Sequence, residues 1–224
     1  MKPLSEARLY GIVDLGYVRP ESIERAAEQM CAGGVDIVQL RAKGASDLEV
    51  EEYAQRLAPI LESAGVPFII NDFPELVPAI GAQGAHVGQD DLGVEEARWR
   101  AGRSLAGELP PPIIGKSTHS LAQALAAAEA GADYIGFGPL YATPTKLGRP
   151  AIGFSEIAEV HQRVSIPIFC IGGIKLENLD EVLAAGARRV VIVSGILQAQ
   201  DITAYCREVK ERLEDLPLPA PKSN

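Results

Sequence analysis

Three short polar stretches each follow an apolar run: Gln39-Leu40-Arg41-Ala42-Lys43, Asn71-Asp72 and Gly88-Gln89-Asp90-Asp91. They put the cations Arg41 and Lys43, and several carboxylates, where strands should end. Arginine offers a planar fork and lysine a point charge, a pair of donors suited to clamping a diphosphate. Asp72 and Asp91 offer hard oxygen ligands, the kind Mg2+ uses when substrate phosphates complete its shell. A magnesium diphosphate site is therefore expected, with Asp72 and Asp91 as metal ligands and Asp90 competing with Asp91. Each of these aspartates could instead cap the helix that follows it. Farther along, Thr143-Pro144-Thr145-Lys146 and Ile171-Gly172-Gly173-Ile174 supply a second anion-binding group. The expected partners are two phosphorylated small molecules held side by side.

Such scattered residues meet only if the elements between them bring the strand ends together. Short β-branched runs alternate with Ala/Glu/Leu-rich segments along the chain. Strands are expected near Leu9 to Asp14, Val35 to Arg41, Pro67 to Asn71, Gly84 to Val87, Ile113 to Lys116, Tyr134 to Gly138, Ile166 to Ile171 and Val190 to Ser194. Helices are expected over Glu21 to Cys31, Asp47 to Ser63, Pro74 to Ile80, Val94 to Gly102, Leu121 to Ala130, Phe154 to Arg163, Leu176 to Ala185 and Ile202 to Leu213. Ser46 with Glu49 forms a capping box before the second helix. Ala-Gly joints at Gly33, Gly65, Gly131 and Gly186 mark helix stops before strands.

Strict βα alternation with short joints predicts parallel strands. An open doubly wound sheet alternates in the same way, but its first strand is normally followed by a Gly-rich phosphate turn, where this chain has Asp14-Leu15-Gly16-Tyr17. The expected fold is thus α/β, a single (β/α)8 TIM barrel over residues 1–215, with a frayed C-terminal tail at 216–224. In such a barrel the C-terminal strand ends converge on one mouth. Gln39 and Arg41 share one strand face and point inward, alternating with Val38 and Leu40. Gly172-Gly173 and Ser194-Gly195, after the last two strands, fall where barrels bind phosphate through backbone N–H groups. Arg103 to Pro112 is expected to be an exposed connection, and Tyr141 to Ile152 a long active-site loop that could act as a lid.

The chain has 224 residues, 47% of them hydrophobic, enough for one large core. Its formal net charge of −9 and its lack of a basic cluster argue against nucleic acid or an anionic membrane surface as partner. Aromatic residues make up 5% of the chain and offer no base-stacking platform. The 3 cysteines lack metal spacing and fit reduced thiols. No run approaches the roughly 18 apolar residues of a membrane span, and Met1 to Glu6 lack a signal core, so a cytoplasmic location is expected. Assembly as a homo-oligomer stays open. Ser117-Thr118-His119 has no nucleophile elbow around it. His119 is expected to cap the fifth helix, and His86 and His161 are expected to be structural.

The ordered motifs Leu9-Tyr10-Gly11-Ile12-Val13-Asp14, Val38 to Lys43, Ile70-Asn71-Asp72, His86 to Leu92, Gly115 to His119, Gly138 to Lys146, Ile171 to Ile174 and Val193 to Ile196 cover nearly the whole chain. Together they resemble the thiamine phosphate synthase family. The resemblance implies a barrel transferase of thiamine biosynthesis. Such an enzyme joins hydroxymethylpyrimidine diphosphate to a thiazole phosphate, with release of diphosphate and assistance from Mg2+. It implies that Gln39, Arg41, Lys43 and Asn71 hold the pyrimidine diphosphate, that Asp72 and Asp91 bind the metal, and that Ser117 and Lys146 approach the diphosphate. Arg41, Lys43, Ser117 and Lys146 are then the catalytic set. It also implies that Thr143, Thr145, Gly173, Val193 and Ser194 hold the thiazole phosphate. The family usually carries Arg after Asn-Asp, where this chain has Phe73-Pro74-Glu75. Two other readings use the same mouth: a thiazole tautomerase and a non-catalytic thiazole phosphate-binding protein. Gln39, Lys43, Asn71-Asp72 and Gln89-X-Asp91 favour the synthase.

Overall fold

The computed structural model describes residues 3–102, 111–142 and 150–218. Eight parallel strands run in sequence order around a closed barrel: β1 (Leu9–Asp14), β2 (Ile37–Arg41), β3 (Phe68–Asn71), β4 (Gly84–Val87), β5 (Ile113–Thr118), β6 (Tyr134–Phe137), β7 (Ile168–Cys170) and β8 (Val190–Ile192). Closure is made by β1, which pairs with β2 from Tyr10↔Ile37 to Asp14↔Arg41 and with β8 from Leu9↔Val190 to Gly11↔Ile192. The closed parallel order excludes the open doubly wound sheet.

Between the strands lie α1 (Ile23–Ala32), α2 (Asp47–Ala64), α3 (Val77–Ile80), α4 (Val94–Ala101), α5 (Leu121–Glu129), α6 (Ile157–Arg163), α7 (Leu179–Ala184), α8 (Ser194–Leu197) and α9 (Ile202–Glu214). The Ser46–Glu49 capping box forms at the start of α2, and Gly65 ends that helix in the left-handed region at φ 66°. Ser120, rather than His119, caps α5 by accepting from Gln123 N. Its side chain directly precedes the first helical residue, the position from which a hydroxyl reaches the free amides. The strand expected to run through Ser194 stops at Ile192, and Ser194 instead opens α8, a single turn of helix.

Period-2 alternation on the strands separates two cores. Outward residues such as Leu9, Val13, Val38, Leu40, Phe68 and Ile70 pack beneath the helices. Inward residues Tyr10, Ile12, Ile37, Ile69, Tyr134, Phe169 and Val191 fill the barrel itself. Three rings meet in that interior: Tyr10 and Tyr134 each lie edge-on to Phe169, with centroids 5.5 and 5.6 Å away. The aromatic residues are few, but these three are concentrated in the barrel interior, where their volume fills it.

At the N-terminal end of the barrel, Asp36 ties three elements together. Its Oδ2 accepts from Arg8 N at 2.7 Å and Leu9 N at 3.0 Å, at the start of β1, and from the Lys210 ammonium on α9. The ion pair is nearly dry, with side-chain exposures of 12% for Lys210 and 6% for Asp36. Arg8 in turn donates to the carbonyls of Leu213 and Leu216, so α9 is fastened to the strand that closes the barrel. Removing one partner of a buried pair strands the other. Asp36→Ala is therefore expected to lower unfolding stability by about 3 kcal/mol, read from urea denaturation.

Candidate active site at the barrel mouth

Gln39 and Arg41 both lie on β2, but they are held differently. Gln39 is 3% exposed and points into the barrel, where its Nε2 donates to Tyr10 Oη at 2.9 Å. Arg41, at the strand end, donates from Nη1 to Asp14 Oδ2 at 2.8 Å. Asp14 is itself 1% exposed, and its other oxygen accepts from Gly16 N at 2.9 Å. The guanidinium is thus aimed by a buried carboxylate at the end of the neighbouring strand. Lys43 is exposed in the loop that follows β2.

The β3 and β4 ends carry the aspartates. Asn71 is the last, half-buried residue of β3, and Asp72 follows it at φ 67°. Among the described residues Asp72 alone combines a side chain with a positive φ. This conformation is unusual for a residue other than Gly and is tolerated best by short polar side chains such as Asp. Neither aspartate caps a helix: the turn after Asp72 has Phe73 at its cap, α4 has Gly93 at its cap, and neither cap makes a side-chain hydrogen bond. The Asp72 carboxyl is pushed up to about 6, first by burial and then by the adjacent Asp91 carboxyl, with which it shares a hydrogen bond. Arg41 and Lys43 pull it the other way. Asp72, Asp91, Arg41 and Lys43 therefore lie within electrostatic reach of one another at one rim.

The loop carrying Asp91 is fastened to β5. Asp91 Oδ2 accepts from Gly88 N at 2.7 Å, Lys116 Nζ donates to the carbonyls of Gly88 at 2.5 Å and Leu92 at 3.0 Å, and Gln89 Nε2 donates to Ser117 O. Lys116 turns outward from the barrel and holds both ends of the loop, while Ser117 turns inward. The Ser117 hydroxyl lies 2.9 Å from His86 Nε2, and His86 Nδ1 lies 3.1 Å from Tyr134 Oη. His86 thus hydrogen-bonds both Ser117 and Tyr134. It is the inward residue of β4, and Gly115 on the neighbouring strand leaves room for its ring. A Cβ on Gly115 would sit 2.1 Å from Tyr134 Cζ and 2.6 Å from His86 Nδ1.

A cavity opens beside Ser117 and is lined by His119, Gly138, Gly172, Gly173, Val193 and Ser194 among others. Gly172 and Gly173 turn at φ 101° and 68°, a path that side chains resist, and Asn178 Nδ2 holds the Gly173 carbonyl at 2.9 Å. Ser194, which begins α8, lines the same cavity, in the position of the short extra helix that barrels often carry after their last strands. His119 lines this cavity and its Nδ1 is hydrogen-bonded to the Gly138 carbonyl. The structure thus brings Arg41, Lys43, Asp72 and Asp91 together at one rim and Ser117, Gly173, Val193 and Ser194 around one cavity, with Asn71 at the end of β3 and Gln39 inside the barrel. Thr143, Thr145 and Lys146 lie outside the described residues, as do most of the loop expected to be a lid and most of the Arg103 to Pro112 connection.

The family model for thiamine monophosphate synthase matches residues 9–196, which span β1 to α8 and every site residue above. The chain belongs to that family. The thiamine-phosphate synthase of Thermus thermophilus is 43% identical over 209 residues, covering 92% of this chain and 97% of its own. That of Chloroflexus aurantiacus is 41% identical over 204 residues, covering 91% of each chain. The thiamine phosphate pyrophosphorylase structure from Pyrococcus furiosus superposes with a TM-score of 0.81 at 28% identity, covering 94% of this chain and 97% of its own. As a member of this family the chain is a transferase and a TIM barrel. No helix among the described residues is long and apolar enough to cross a membrane.

Because Asp14 is the buried partner that aims Arg41, replacing it with an amide removes the charge that holds the guanidinium in a largely desolvated position. Asp14→Asn is expected to cost about 2–3 kcal/mol of stability and to weaken binding of inorganic diphosphate, measured by calorimetry. Equal diphosphate affinity in the two proteins would contradict this role.

Proposed function

We propose that the chain is a thiamine phosphate synthase, joining hydroxymethylpyrimidine diphosphate to a thiazole monophosphate with release of diphosphate. The observation that carries this reading is the Asp72 carboxyl, raised to about 6 beside Asp91 and opposed by Arg41 and Lys43, at a rim adjoining the Ser117 cavity. A hydrolase or acyl transferase would call for an activated nucleophile, and Ser117 lies outside any nucleophile elbow. The mouth is instead built from charges that suit a leaving diphosphate.

In the proposed reaction the bond between the pyrimidine methylene carbon and the diphosphate oxygen breaks first. The electron-rich aminopyrimidine spreads the resulting positive charge, and the bonding electrons leave with the diphosphate. The thiazole ring nitrogen then donates its lone pair to the methylene carbon, forming the new C–N bond. Arg41 and Lys43 bind the departing oxygens, with Arg41 aimed by Asp14, and Ser117 offers a hydroxyl to the same group. One well-placed donor of this kind is worth about 3 kcal/mol in the transition state, so several together can carry the step without a covalent intermediate. Gln39 and Asn71 position the pyrimidine diphosphate, and Lys146 also approaches it. Backbone N–H groups at Gly173 and around Val193 and Ser194, with Thr143 and Thr145, hold the thiazole phosphate.

The donor set fits Mg2+. Among the described residues no three His, Cys, Asp or Glu side chains form a closed metal cage. Two neighbouring carboxyls are what this ion takes when substrate phosphates and water fill its other positions. Asp72 and Asp91 would hold it, and when bound it would neutralise charge on the diphosphate. The carboxyl pair, raised at Asp72, repels itself at neutral pH, and a cation relieves that repulsion.

Purified protein given both substrates with Mg2+ is expected to release diphosphate. Binding of thiazole phosphate with no release under any divalent metal would instead favour a non-catalytic binder. Asp72→Ala is expected to remain folded and to lose magnesium-dependent turnover; near-normal turnover would refute its metal role. Protons compete with the cation below about pH 6, where Asp72 becomes protonated. The rise in melting temperature on adding Mg2+ should therefore be larger at pH 8 than at pH 5; an equal rise at both would count against the pair.

A further inference from the structure

The inside of the barrel holds an unbroken polar chain that crosses from β2 to β5. Gln39 Nε2 lies 2.9 Å from Tyr10 Oη, Tyr10 Oη 2.9 Å from Tyr134 Oη, Tyr134 Oη 3.1 Å from His86 Nδ1, and His86 Nε2 2.9 Å from Ser117 Oγ. Four strands besides β5 contribute to it, and both of its ends, Gln39 and Ser117, are residues of the mouth. Such a chain is unusual in a barrel interior, where apolar side chains in layers are the rule. Gly115 gives up a side chain to accommodate it: a Cβ there would occupy the space where Tyr134 meets His86.

The chain has a direction. An amide nitrogen can only donate, so Tyr10 accepts from Gln39. If Tyr10 also accepted from Tyr134, its own proton would be left unpaired at 1% exposure, an arrangement disfavoured by about 1–3 kcal/mol. Tyr10 therefore donates to Tyr134, and Tyr134 donates to His86 Nδ1. Burial raises both phenols above their ordinary range, so each keeps the proton this arrangement uses. With Nδ1 accepting, the remaining ring proton of His86 is on Nε2, where it donates to Ser117 Oγ. The Ser117 oxygen, occupied as an acceptor on that side, turns its own proton away from the ring.

We propose that Tyr134 and His86 are positioning residues, and that the Gln39–Tyr10–Tyr134–His86 relay fixes His86 as the Nε2–H tautomer so that Ser117 presents its hydroxyl as a donor. The consequence for turnover rests on the synthase reading, in which Ser117 meets the leaving diphosphate. A donor facing that group lowers the barrier as negative charge collects on it, whereas a hydroxyl free to reverse spends part of its time presenting a lone pair to an anion. Tyr134 and His86 thus act through Ser117 and touch neither substrate in this role.

The test uses the full-length protein labelled with 15N at histidine, the His86 signals being assigned by their loss in His86→Gln. In the unsubstituted protein His86 is expected to show a protonated Nε2 and an unprotonated Nδ1. Tyr134→Phe keeps the ring and removes the Tyr134 hydroxyl that donates to Nδ1; its His86 signals are expected to move towards a mixture of tautomers. Its kcat should fall about tenfold, the scale of one hydrogen bond, with KM for both substrates unchanged. A purely structural loss would instead lower the fraction of folded enzyme and leave the tautomer of the folded part alone. A protonated Nδ1 in the unsubstituted protein, or full kcat in Tyr134→Phe, would overturn the proposal. Failure of the unsubstituted protein to release diphosphate would overturn the synthase reading alone, because the histidine signals report the relay without turnover.

Discussion

The carboxyls of Asp72 and Asp91 are held side by side against their own repulsion, and much of the surrounding structure serves to keep them there. Asp72 sits in a left-handed backbone conformation at the tip of β3, and its amide donates to the carbonyl of His86 on β4 at 3.0 Å. Asp91 is held by the Gly88 amide in a loop that Lys116 grips at both ends. Burial and the neighbouring like charge both disfavour ionisation, which is why the Asp72 carboxyl holds its proton more tightly than an ordinary aspartate. Strain of this kind persists only where rigid neighbours determine the geometry, and here those neighbours are barrel strands.

The same strands supply the opposing charges. Asp14 and Arg41 end adjacent strands in register, so the ion pair that aims the guanidinium follows directly from the β1–β2 pairing. One rim thus carries cations and carboxyls in a small space, while the cavity beyond Ser117 is walled mainly by backbone turns and apolar side chains. A charged half and an uncharged half thus lie next to each other. In a chain with a net charge of −9 the potential at this rim is set by its local cations as well as by total charge.

Beneath the rim, the barrel interior departs from the apolar filling typical of its fold. Tyr10, Tyr134 and Phe169 supply the volume, and the two phenols together with His86 supply a continuous set of hydrogen bonds. Every polar atom introduced into such an interior needs a partner, and in this barrel each phenol oxygen finds its partners within the chain that runs from Gln39 to Ser117. Rigidity at the mouth is thereby continuous with packing at the centre.

The sequence by itself determined the alternation of strands and helices, the closed parallel order, the capping box at Ser46 and the strand-end positions of Arg41, Asp72 and Asp91. These follow from hydrophobic period and turn chemistry, which act over a few residues and are written locally. It did not determine the partners of His86, the cap at Ser120 in place of His119, or the tie between Asp14 and Arg41. A lone histidine on a strand carries no local sign of its partners, because Tyr134 and Ser117 reach it from other strands 48 and 31 residues away. Only the closed barrel decided those contacts, since strand register sets which inward side chains share a layer, and register depends on pairing between segments remote from each other in the chain.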